Sequence, residues 1–247
     1  MTPIISIIVP AYHAGEFIKD AVAKKIAVLK SLEVPYELIL VIDGTDKSSI
    51  SEMTPFFKMK QFKVVYLKYN HGKGFAVRRG MRQAKGKYIG YMDVDNDIDP
   101  LVIRDMYNAI LSNKYSAILP SKTHKLSKIN YPFKRKLFSK VYNFIVKNIF
   151  NIPCSDTQLG AKLYSKSYIQ NVIPLCMING FAFELEMLSY AKKMNLLYFK
   201  EIPVVVNFKT QTTISLKNGI KVLIDTFKLF IRVRNFDANK KEIKKNL

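Results

Sequence analysis

The chain predicts an α/β fold, a mostly parallel central sheet wound on both faces by helices. Two observations predict it. Four short β-branched runs alternate with segments whose apolar residues recur at helical spacing. Acidic and glycine-containing loops collect just after those runs, at the sheet edge where such folds bind their ligands. At 247 residues the chain can bury one substantial core, so a single domain over residues 1–236 is expected, with a basic tail at 237–247.

Ile4 to Val9 is a continuous apolar run stopped by Pro10, the profile of a strand buried on both faces. Gly15 to Leu32 follows with helical spacing. Glu37 to Ile42 reads as a second strand ending in Asp43-Gly44-Thr45-Asp46, and Phe62 to Leu67 as a third, ending in Asn70-His71-Gly72-Lys73-Gly74. After a helix at Phe75 to Ala84, Tyr88 to Met92 reads as a fourth strand that delivers Asp93, Asp95 and Asp97 at its C-terminal end. Pro100 to Leu111 predicts a helix and Ser116 to Pro120 a short strand. The second half predicts an amphipathic helix from Leu137 to Phe150, a short segment at Ala161 to Tyr164, a helix near Phe183 to Met194 and a strand at Ile202 to Phe208. A last amphipathic helix from Asn218 to Arg234 sets Ile220, Leu223, Ile224, Phe227, Phe230 and Ile231 against a basic face; the tail from Asn239 reads as mobile.

Charge narrows the partners. Forty Lys and Arg against 19 Asp and Glu give a formal +21, which suits phosphorylated ligands, anionic lipid surfaces or nucleic acid. No acid occurs between Asp105 and Asp156, so positive charge is concentrated in the middle of the chain. Two cysteines, Cys154 and Cys176, are too few for a disulfide framework and read as small buried hydrophobes in a reducing compartment. The N-terminus carries no secretory signal pattern, and no apolar stretch reaches the ~20 residues a spanning helix needs. The expected location is therefore cytoplasmic, peripheral at the inner face of the membrane.

Asp93-Val94-Asp95-Asn96-Asp97 carries the chemistry. Carboxylates at alternating positions just past a strand can turn toward one hard cation, Mg²⁺ or Mn²⁺, which prefers such oxygens together with those of a diphosphate. Alone, the acids also suit a solvated turn or the N-terminal cap of the next helix, opened by Asp99-Pro100. An EF-hand is excluded, because its obligatory glycine is Ile98 here and a strand precedes the motif.

Four motifs, Ser6-Ile7-Ile8-Val9-Pro10-Ala11-Tyr12, Val41-Ile42-Asp43-Gly44-Thr45, Asn70-His71-Gly72-Lys73-Gly74 and Asp93-Val94-Asp95, resemble in order and spacing the nucleotide-binding half of inverting GT-A glycosyltransferases of family 2. Ser155 to Lys162 and Gly180 to Glu186 are similar to the corresponding stretches of polyprenyl- and dolichyl-phosphate glucose and mannose synthases. The resemblance implies a nucleotide-sugar-binding half over 1–115 and an acceptor half over 116–236. It implies that Pro10, Ala11, Tyr12 and Asp43 hold the nucleoside, with Lys73, Asp93, Val94 and Lys209 completing the donor site, and that Asp93, Asp95 and Asp97 serve the metal. Arg135, Lys122 and Ser139, with Asp156 and Gln158, are the implied acceptor-phosphate residues; Lys122 stands where the mannose branch places Arg. Glu184 is a general base, a helix cap or a residue that orients a basic neighbour.

The expected activity is transfer of a monosaccharide from a nucleotide-sugar donor, UDP-glucose or GDP-mannose in type, to a polyprenyl or dolichyl phosphate. A lipid monophosphate is already largely ionised at neutral pH, so it needs cations to position it more than a base to activate it. The rivals are transfer to a hydroxyl of a surface polysaccharide or glycolipid, with Glu184 as base, and a non-enzymatic basic module on membrane or nucleic acid. The last gives no reason for acids at strand ends, and nucleic acid is not the expected partner.

Overall fold

The computed structural model describes residues 2–15, 17–130, 146–207 and 216–245. Four parallel strands form its first half: β1 (Ile5–Ala11), β2 (Tyr36–Asp43), β3 (Phe62–Leu67) and β4 (Tyr88–Met92). Helices α1 (Phe17–Lys30), α2 (Lys47–Glu52) and α3 (Lys73–Gln83) connect them. After α4 (Val102–Ile110) come β5 (Ala117–Pro120), β6 (Lys128–Asn130), β7 (Ala161–Ser165), α5 (Lys166–Val172), α6 (Phe183–Lys193), β8 (Phe199–Ile202), β9 (Val205–Asn207) and α7 (Leu216–Lys245).

The main sheet has the order β3-β2-β1-β4-β7-β5-β8, and β6 pairs with β9 in a second, two-stranded sheet. Strand alternation sorts the side chains into two cores. Ile5, Ile7 and Val9 with Leu38, Leu40 and Ile42 pack beneath α1 and α4, whereas Ile8, Ile39 and Val41 pack toward α3 and α6. Both faces are covered, which is why these strands read as unbroken apolar runs.

The sheet is mostly parallel, as expected; β7 alone runs antiparallel, to both β4 and β5. Other expectations are corrected. The strand expected at Ile202 to Phe208 is two short strands, because Pro203 has no N–H to donate to a ladder. α7 continues through the expected mobile tail to Lys245, in a stretch with neither Gly nor Pro to stop it. Of the Leu137 to Phe150 helix, only residues 146–150 fall within the described residues; they are helical, with Val146 and Phe150 buried. Cys154 and Cys176 are free and buried, as expected. Among the described residues no helix is long and apolar enough to cross a membrane.

Candidate active site

The C-terminal ends of β1, β2 and β4 open into one cleft of about 470 Å³. Pro10, Ala11 and Tyr12 leave β1 there, Asp43 closes β2, and Asp93, Val94 and Asp95 follow β4; Lys73 enters from the start of α3. Seven of the eight donor-site residues expected from the sequence therefore line a single hollow. The eighth, Lys209, lies outside the described residues, as do Arg135 and Ser139 of the expected acceptor site. The far wall, unforeseen from sequence, is Gly180 and Phe181 before α6, with Lys221, Val222 and Asp225 of α7.

Asp43 shapes the cleft floor. Its carboxylate is 3% exposed and accepts the backbone N–H of His71 at 2.9 Å and of Gly72 at 2.7 Å, which pins the glycine loop beneath it. Each oxygen takes one N–H of the loop, and Asp43 lines the cleft where the nucleoside was expected. Gly72 adopts φ +102°, and a Cβ there would meet the Asn179 carbonyl oxygen at 2.5 Å, so only glycine lets the two loops close. The N–H of Gly74 donates to that same carbonyl at 2.8 Å. Tyr12, 53% exposed, presents an open ring at the rim.

The acids are held as a strained electrostatic group. Lys73 Nζ lies 2.8 Å from Asp93 and 3.0 Å from Glu184, and Lys162, fully buried, lies 2.7 Å from the other oxygen of Glu184. Burial opposes the Lys73 ammonium, but the Asp93 and Glu184 carboxylates more than offset it and raise its pKa above the ordinary lysine value. Glu184 thus sits between two ammonium groups, 1% exposed, and orients Lys73 toward Asp93. Asp95 is pushed up to about 6, by burial first and then by the charges of Asp93 and Asp97. Below the loop, buried Lys25 of α1 makes long 3.5 Å contacts to the Val94 and Ala21 carbonyls, and its pKa falls to about 8, by burial against partial compensation from Asp95 and Asp93. Gly160 abuts the Asp93 carboxylate so closely that any side chain there would displace it.

These residues fit a divalent cation that shares its ligands with a diphosphate. Hard carboxylate oxygens and an excess of like charge are the donor set such an ion needs. They do not form a cage: among the described residues no three His, Cys, Asp or Glu side chains converge on one point. Asp97, expected as a third ligand, is 7% exposed and is not on the cleft wall, so the wall offers Asp93 and Asp95. His71 stacks on Phe75 at 4.5 Å and has no place in the cleft lining.

The expected acceptor residues form another cluster, off the cleft wall. Asp156, 1% exposed, takes the Lys122 ammonium at 3.4 Å, the Lys122 N–H at 3.2 Å and the Gln158 N–H at 3.0 Å. Glu201, the strand residue behind it, accepts from the N–H and hydroxyl of Ser155. Lys162 and the α7 residues were missed from sequence because a lysine in a strand and one on an amphipathic helix both read as solvated; only Lys162's place opposite the FELE run of α6 betrays the pairing.

Residues 6–173 match the profile of glycosyl transferase family 2. A dolichyl-phosphate beta-glucosyltransferase of Dictyostelium discoideum is 27% identical over 206 residues, 78% of this chain and 63% of that protein. A dodecaprenyl-phosphate galacturonate synthase of Rhizobium johnstonii is 24% identical over 170 residues, 68% of this chain and 49% of that protein. This chain thus spans less than two thirds of the length of either relative. Glucosyl-3-phosphoglycerate synthase of Mycobacterium tuberculosis, solved with Mn²⁺, UDP and phosphoglyceric acid, superposes with a TM-score of 0.71 over 93% of this chain and 78% of that one at 13% identity. A second crystal of that enzyme holds Mg²⁺ and UDP. The likeness establishes a GT-A-like fold, and crystals of that enzyme include forms holding Mn²⁺ or Mg²⁺. With the profile matched across more than half of its length, the chain belongs to glycosyl transferase family 2.

Proposed function

We propose that this protein is a glycosyltransferase that moves a monosaccharide, with inversion, from a nucleotide diphosphate sugar to the phosphate of a polyprenyl lipid, at the inner face of a membrane. One observation carries the reading: the ends of three parallel strands bring Tyr12, Asp43, Asp93 and Asp95, and the start of α3 brings Lys73, to one cleft of about 470 Å³, room for a nucleotide sugar. The two curated relatives differ in sugar but share a polyprenyl-phosphate name, which favours the lipid phosphate as acceptor.

Asp95 and Asp93 would hold Mg²⁺ or Mn²⁺, which neutralises the charge of a departing diphosphate. Tyr12 offers its ring to the base, and the glycine loop pinned by Asp43 lets the backbone approach the donor closely. Lys73, kept charged by Asp93 and Glu184, faces the same charge from the opposite side. Glu184 acts as a positioning residue for Lys73: wedged between two ammonium groups, it has no free face from which to take a proton from a hydroxyl. That geometry favours an acceptor already ionised over the hydroxyl of a polysaccharide. Lys122 and Arg135 are the proposed contacts to the lipid phosphate, whose charge-assisted hydrogen bonds are strong.

The test is transfer of labelled glucose from UDP-glucose, and of mannose from GDP-mannose, to undecaprenyl phosphate or to soluble sugars. Label in the lipid phase, abolished by EDTA and by Asp95→Ala, is the expected result. Label in soluble sugars alone would overturn the acceptor, and metal-independent transfer would overturn the site.

A further inference from the structure

Helix α7 is apolar on two opposite faces. Its inner face is buried, with Leu229 fully enclosed and Thr226 and Val233 3% and 8% exposed. At 3.6 residues per turn the stripe Ile220, Leu223, Ile224, Phe227 and Ile231 falls on the other side, and it stands open, Phe227 at 65% and Ile220 at 59% exposure. The sequence placed Phe230 in that stripe; it turns inward instead and meets Phe150 edge-on at 6.2 Å. Across a groove from Ile231 stands Met177, 69% exposed, so the open surface extends beyond the helix. A helix apolar all round is one that is covered on both sides, and a patch of this extent on a soluble surface marks an interaction site.

The flanks indicate what covers it. Lys221 and Lys228 border the stripe on one side, Arg234 lies at its end, and the chain as a whole carries +21. A second copy of so basic a chain would be repelled, whereas an anionic bilayer supplies both the apolar phase and the opposite charge.

The same helix is part of the donor cleft. Lys221, Val222 and Asp225, on the flank between the two apolar faces, line the cleft wall. Two turns beyond Asp225, Arg232 pairs at 2.9 Å with Glu186, which is fully buried and accepts the N–H groups of Met177 and Ile178. The next residue, Asn179, accepts the N–H of Gly74 beside Lys73. The open stripe is therefore joined to the donor cleft directly and through one short hydrogen-bonded chain.

We propose that α7 is an interfacial helix whose Ile220–Ile231 stripe seats in an anionic bilayer, and that this docking fixes the outer wall of the donor cleft and tightens nucleotide-diphosphate binding. The proposal rests on the donor-site reading above and adds to it a dependence on the membrane.

The experiment pairs vesicle sedimentation with calorimetry of UDP and Mn²⁺, using the whole chain. Wild type is expected to sediment with phosphatidylcholine vesicles containing phosphatidylglycerol, not with phosphatidylcholine alone, and to bind UDP about fivefold more tightly once docked, a typical coupling between linked sites. The double variant Ile224→Glu with Phe227→Glu should stay in the supernatant, keep its solution affinity for UDP, and lose the vesicle effect. Because both positions are exposed, that retained affinity reports an intact fold. Lys228→Ala should weaken vesicle binding about fivefold, the effect of one interfacial lysine. Failure to sediment, sedimentation undiminished in the double variant, or a UDP affinity blind to vesicles overturns the proposal and leaves the donor site standing. A dimer in sedimentation velocity that the double variant dissociates assigns the stripe to a second copy and also overturns it. Absence of binding of both UDP and GDP under every condition defeats the donor-site reading itself, along with what rests on it.

Discussion

Acids sit at both ends of the parallel sheet, and the two ends treat them in opposite ways. At the N-terminal edge, Glu37 opens β2 and is 3% exposed, with its oxygens taken up by the Ser6 hydroxyl at 2.7 Å, the Lys85 N–H at 2.6 Å and the Lys63 ammonium. Gly86 closes the group by donating to Ser6 Oγ at 2.8 Å. Burial there is overcome by these partners and the carboxyl's pKa falls below its ordinary value. At the C-terminal edge, Asp95 meets burial and two further carboxylates, and its pKa rises to about 6. One edge is closed electrostatically and holds strands together. The other is left in need of positive charge, which is what a site for a cation and its diphosphate requires.

The largest expected effect lies at the open edge. Asp95→Ala should cost about 10³-fold in transfer rate, the scale of losing a main electrostatic contact to the leaving group, while the denaturation midpoint holds or rises. A parallel loss of stability would show that Asp95 holds the fold together as Glu37 does. Next comes the closed edge: Glu37→Ala leaves the Ser6 hydroxyl donor and the Lys85 N–H without their acceptor, and chemical denaturation should record a loss of about 2–4 kcal/mol, with activity per folded molecule unchanged. Gly160→Ala should displace Asp93 without breaking the sheet, lowering kcat/KM by about tenfold to a hundredfold and weakening Mn²⁺-dependent UDP binding in calorimetry.

The smallest effect is a pair of opposite slopes in stability against pH. Glu37's folded pKa is depressed, so its contribution is complete above the unfolded value near 4.5 and is lost as pH falls through the folded value. Asp95's folded pKa is raised from 3.8 to about 6, so between those values the folded state binds the more protons and stability declines as pH rises. Glu37→Gln should flatten the acid limb of the wild-type curve, and Asp95→Asn should remove the decline between about pH 4 and 6. Identical curves for the two variants would erase the distinction between the edges.

Legibility in the sequence followed the range of the interactions. The strands of the first half and the residues at their ends were legible, because β1, β2 and β4 are buried on both faces and their apolar runs stop where the backbone turns to a loop. The seven donor-site residues that the family resemblance implied at those loops were found in one cleft. The third carboxylate, Asp97, was not separable from Asp93 and Asp95 by spacing, since spacing says nothing about which side chains of a loop turn inward. The direction of β7 was invisible too: the five residues Ala161–Ser165 suit either sense, and only pairing with β4 and β5 decides it.

What the order of residues settled on its own was local: where strands begin and stop, and that acids and glycines follow them, because burial and backbone conformation act over a few neighbours. What the tertiary structure decided was long-range. Lys162 meets Glu184 across 22 residues and Asn179 closes over Gly72 across more than a hundred. The two faces of α7 became distinguishable only when one of them was packed against the body, since a helical pattern shows that a face is apolar and leaves open what will cover it.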